Sequence, residues 1–121
     1  MLTFIHSRLA LTIILFALVL GIWAGWKYLR REGLTSSYWG ALIIGEMLIL
    51  AQGLLGLLLV IMGRQPAELL HFLYGVVTAL GLPAVYIYTG GRATRTEAAL
   101  YALVAFAIFG LAIRALMTGG V

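Results

Sequence analysis

The sequence predicts an all-α integral membrane protein, a four-helix up-down bundle, and three observations carry that prediction. Of 121 residues, 64% are hydrophobic and only 10% are charged, whereas a water-soluble domain carries about a quarter. Four apolar stretches, at residues 9–26, 38–62, 69–88 and 98–117, come close to or exceed the roughly 20 residues that cross a hydrocarbon core. The links between them are short, which makes successive helices antiparallel neighbours. Little sequence remains outside the spans, so one transmembrane domain is expected and no soluble enzymatic part.

The first stretch has no basic segment before its apolar run, is too long for a signal-peptide core and is followed by further spans. It is therefore expected to be retained. Residues 33–37 (Gly-Leu-Thr-Ser-Ser) suit the end of one helix and the cap of the next. Pro66 suits the first turn of the third span, with Glu68 near its positive dipole end. Pro83 predicts a kink in that span, and Gly90-Gly91 ends it. Trp23, Trp26, Tyr28, Tyr38, Trp39, Tyr86 and Tyr88 gather at one boundary, as an aromatic belt does.

Charge gives the orientation. Lys27, Arg30 and Arg31 follow the first span, and Arg92 and Arg95 follow the third. Arg8, Arg64 and Arg114 lie on the opposite side. The positive-inside rule places the first group in the cytoplasm and both termini outside, as in a bacterial inner (plasma) membrane. The net charge of +4 follows topology rather than forming a patch, which argues against nucleic acid. The absence of cysteine excludes disulfides, iron–sulfur clusters and covalent c-type haem.

Sorting each span into faces gives stripes of small residues. Ala10, Ala17 and Ala24 follow His6. Gly45, Gln52, Gly56 and Gly63 share a stripe flanked by Glu46 and Gly53. His71 lies with Tyr74, Gly75 and Thr78. Ala99, Ala107 and Gly110 align with Arg114, interrupted by Leu103. Small stripes let membrane helices approach closely. They also leave room for a flat cofactor, for which Gly56 and Gly75 are the candidates.

His6 and His71 start spans that run in the same direction, so both imidazoles fall in one leaflet at similar depth. Spans one and three occupy a diagonal of an up-down bundle, and side chains there converge across the core. Two axial imidazoles in that position are what a six-coordinate haem b needs. Arg8 and Arg114 could pair with its propionates, and Gln52 could orient it. Each has a plainer alternative: an interfacial polar histidine, a snorkelling arginine, a glutamine that joins helices. Glu46 could relay protons, bond a quinone or only satisfy a neighbouring helix.

His6, the Gln52-Gly53-Leu54-Leu55-Gly56 run and Leu70-His71 resemble one half of haem A synthase. That family is built from two four-helix repeats, each with a histidine at the outer end of its first and third helices. The 65 residues between His6 and His71 are similar to the family's spacing. By this resemblance, His6 and His71 would be the axial haem ligands. Thr3 stands where the family has glutamate, Ser7 intervenes before Arg8, and only one repeat is present. The resemblance therefore implies the haem-holding bundle rather than the synthase chemistry.

The expected function is that of a membrane b-type cytochrome-like protein carrying electrons, with a quinol, another membrane redox protein or a homodimer mate as partner. The alternatives are a small accessory subunit of a respiratory or photosynthetic complex, binding lipid or pigment, and a transporter fragment with Glu46 and Gln52 along its path. A cytochrome turns its small-residue stripes inward; an accessory subunit turns them towards a partner.

Overall fold

The computed structural model describes residues 1–119. It contains α1 (Leu2–Leu29), α2 (Ser36–Ile61), α3 (Leu70–Thr89) and α4 (Arg95–Gly119), and no strand among the described residues. All four helices are long and apolar enough to cross a membrane. The protein is thus an all-α, integral membrane four-helix bundle. Its outward faces carry large apolar side chains such as Leu15, Val19, Ile43 and Met47, the surface that lipid solvates.

α1 and α4 extend beyond their apolar runs at both ends, α1 most of all, because backbone pairing does not stop where hydropathy falls. A main-chain N–H near the bilayer still needs an acceptor, and the next helical turn supplies it. This extension places His6 inside α1 rather than ahead of it.

The two basic links are tied together at one end of the bundle. α1 ends where the Arg30 N–H donates to the Trp26 carbonyl, and Arg31 adopts a left-handed φ of 59°. Leu34 N–H then donates to the Ala93 carbonyl at 2.8 Å. Gly33 lies directly against that carbonyl, where a side chain would collide with backbone. Arg95 Nε donates to the Tyr28 carbonyl at 2.8 Å, and its guanidinium sits 4.0 Å from the Tyr28 ring centroid. Thr35 caps α2 by accepting from the Tyr38 N–H. Ahead of α4, buried Glu97 accepts from both the Thr94 N–H and hydroxyl, the reciprocal half of a capping box. Gly90 and Gly91 take positive φ values of 62° and 78° and end α3.

The opposite end departs from expectation. Pro66 does not open α3, which begins at Leu70. Residues 64–69 instead stay outside the helix, and Ala67 N–H reaches the Gly119 carbonyl (3.2 Å) and Glu68 N–H that of Thr118 (3.0 Å). The last carbonyls of α4 and the free donors before α3 satisfy each other. α3 then runs as one helix through Pro83.

Each helix packs on two neighbours, with α1 and α3 on one diagonal and α2 and α4 on the other. α1 and α4 form the most intimate pair, and α2 and α3 touch least. On the close side, Ala17 and Ala24 share a core with Ala98, Ala102, Ala105 and Ala112. The stripe expected on α4 is therefore the wrong one: Ala107, Gly110 and Arg114 are exposed. The face about half a turn away has a small residue at almost every contact, and it brings the backbones closer. The aromatic belt is also only partial. Trp26, Tyr86 and Tyr88 are exposed, but Tyr38 is 0% exposed, its hydroxyl donating to the Leu20 carbonyl at 2.8 Å. Trp23 packs on Tyr38 edge-on at 5.0 Å.

Candidate functional site

His6 lies in the second turn of α1 and His71 in the first turn of α3, and their rings meet across the diagonal. The centroids are 6.2 Å apart and the planes tilted by 46°. α4 orients His71. Its Nδ1 lies 2.7 Å from the Ala115 carbonyl oxygen, which can only accept, so Nδ1 carries the proton and Nε2 keeps its lone pair. Thr118, hydrogen-bonded to the Arg114 carbonyl at 2.9 Å, stands 3.5 Å from the same nitrogen. Gly119 leaves room for the ring; a Cβ there would come within 3.0 Å of His71 Cε1.

α2 holds His6. Gln52 Nε2 donates to the His6 carbonyl at 2.8 Å and lies 3.5 Å from His6 Nδ1. One turn on, Gly56 faces the other side of the ring, where a Cβ would stand 3.2 Å from His6 Nε2. The stripe that joins Gln52 and Gly56 is therefore a cradle for one imidazole.

Both histidines line a cavity of about 860 Å³ in this half of the bundle, within the usual span for small-molecule sites of about 300–1,000 Å³. Its deep wall includes Ala10 of α1 and Ala112 and Ala115 of α4. Gly53 and Gly75 also line it, and a methyl group added to either would meet nothing within 4 Å. Its open side lies between α2 and α3, the pair that packs least, where Leu54, Leu57, Phe72 and Val76 flank the gap and are exposed to lipid. Two buried polar atoms on the lining, Ser7 Oγ and Gln52 Oε1, have no hydrogen-bond partner among the described residues.

The donor set restricts what metal chemistry is possible. Among the described residues, no group of three or more His, Cys, Asp and Glu side chains comes together. A bare ion would need three or four protein donors. Two opposed imidazoles suit a metal that brings its own equatorial ligands, as a porphyrin does. The 6.2 Å between the ring centroids leaves space for a metal bonded to a nitrogen of each ring at about 2.0–2.1 Å. The residues present fit a bis-histidine macrocycle.

The sequence-predicted site residues divide into two groups. His6, Gln52, Gly56, His71 and Gly75 all reach the cavity. Arg8 and Arg114 do not line it. Arg8 is exposed with its guanidinium 5.1 Å from the Phe4 ring centroid, and Arg114, on the lipid-facing side of α4, lies 5.9 Å from that of Tyr74. The arginine on the lining is Arg64, which the sequence presents only as a charge in a link. Glu46 is partly buried away from the cavity, with Oε1 unpartnered. No family model, curated protein or solved structure matches this chain.

Proposed function

We propose that this protein is a membrane b-type cytochrome that carries electrons through a haem held by His6 and His71. The observation that carries the reading is the pair of imidazoles, 6.2 Å apart across the bundle diagonal and opening on one cavity. Bound there, a haem b would supply a one-electron iron couple. His6 and His71 would hold it through their imidazoles, and the chain would act as an electron carrier. The Ala115 carbonyl keeps the His71 proton on Nδ1, which frees Nε2 for ligation and makes it a better donor. Gln52 fixes the backbone beneath His6, and Gly56 keeps the space before its ring open. Apolar walls keep water from the site. The gap between α2 and α3 gives a hydrophobic ligand a route from lipid.

The resemblance of His6, residues 52–56 and His71 to half of haem A synthase supports the same assignment. Basic links at one end favour a plasma-membrane orientation with both termini outside, so the site lies near the outer surface. The electron partner is then a quinol, another membrane redox protein or a second copy of the chain. A second reading, a quinone in the cavity, is favoured by the unpartnered Gln52 Oε1 and Ser7 Oγ, which could accept from quinol hydroxyls.

Visible spectra of the protein purified in mild detergent from haem-replete cells test this. The expected result is a low-spin Soret band, with sharp alpha and beta bands after dithionite. His6→Ala and His71→Ala should each abolish the six-coordinate spectrum. A folded but colourless preparation overturns the haem reading, and bound quinone in its lipid extract would favour the second one.

A further inference from the structure

The geometry points to Arg64 as the residue that binds a carboxylate of the cavity's ligand, and so decides which edge of that ligand faces outward. This rests on the haem reading above and names an anchor that it lacks. Arg64 lies in the link between α2 and α3, is exposed and lines the cavity. Among the described residues no other lysine or arginine, and no aspartate or glutamate, lines it.

Arg64 is also held over the mouth. Its Nη1 donates to the Thr3 hydroxyl at 3.1 Å, one turn before His6 on α1. The guanidinium thus bridges from the link to the helix that supplies one imidazole. That bond uses one of five donors, and among the described residues no carboxylate lies within ion-pair distance of Arg64. The remaining donors have the planar spacing that reads a carboxylate through paired bonds. The other two arginines at this end, Arg8 and Arg114, rest over aromatic rings away from the cavity. An amphipathic macrocycle with acidic groups along one edge matches this layout: apolar body between the helices, iron between the imidazoles, acid edge at Arg64.

The test compares haem b with its dimethyl ester, in which both acid groups are blocked, by Soret titration of the haem-free protein in detergent. Wild type is expected to bind the diacid about tenfold more tightly than the diester, the size of one good charge-assisted contact. Arg64→Gln should lower diacid affinity to that of the diester and leave diester binding unchanged, with the low-spin spectrum intact. Arg64→Lys should recover part of the difference. Arg8→Gln and Arg114→Gln should behave as wild type. Equal losses for both ligands in Arg64→Gln, or no difference between the ligands in wild type, would overturn the assignment while leaving the histidine site standing. If neither ligand gives a low-spin spectrum in wild type, the haem reading itself fails, and the anchor with it.

Discussion

Gly56 shows how one side chain, or its lack, controls the site. A Cβ there would stand 3.2 Å from His6 Nε2, and a branched side chain would project into the space before the ring. Gly56→Val should therefore weaken haem binding at least about tenfold while leaving helix content and thermal stability near wild type, since valine is well tolerated in an apolar membrane helix. Titration beside circular dichroism separates the two effects; unaltered binding would show that His6 is not approached from that side. That the histidines and Gln52 face inward to one cavity was legible in the sequence because isolated polar groups in an apolar helix are costly and must face a partner; Gly56 follows Gln52 by one turn on the same stripe. The place of Arg64 on the cavity lining was not legible, because an arginine in a link gives no sign in the sequence of which helix it will meet. The hydrogen bond from Arg64 to Thr3 of α1 exists only in the folded bundle.

Among the elements, α4 is where reading the sequence by face went astray, and the reason is physical. Its alanines occur on several sides, at 98, 99, 102, 105, 107, 112 and 115, so more than one stripe is smooth enough to pack. The stripe through Ala98, Ala102, Ala105 and Ala112 prevails because it meets the small residues of α1. Dispersion, rather than hydrophobic drive, holds helices together in lipid, and it rewards the closest approach. Ala105→Leu should thus overpack the α1–α4 seam and cost about 1–3 kcal/mol, whereas Ala107→Leu, facing lipid, should cost little. Unfolding in a denaturing detergent measures both, and similar costs would contradict the observed face. The extended start of α3 follows the same logic of mutual satisfaction. Pro66 suits a helix start locally, but the unpaired carbonyls at the end of α4 recruit the donors of residues 67 and 68.

Over the whole molecule, the bundle is asymmetric from side to side. The α1–α4 seam is tight and the α2–α3 seam is loose, which leaves the cavity open to lipid on one flank and closed on the other. It is also asymmetric from end to end, with the basic links tied together far from the histidines. Orientation can be read directly because the chain has no cysteine. Glu68→Cys should react with a membrane-impermeant maleimide in intact cells, and Glu32→Cys only after lysis. The reverse pattern would put the cavity mouth on the cytoplasmic side.

Composition and the spacing of apolar runs were enough to establish four membrane helices, their order and the shared level of His6 and His71, because hydropathy and helical rise accumulate along the chain whatever it packs against. The separation of the two rings, the face that α4 presents, the width of the α2–α3 gap and the position of Arg64 depended on the folded bundle. Each follows from which of several nearly equivalent surfaces came into contact, a choice made between helices and not within any one of them.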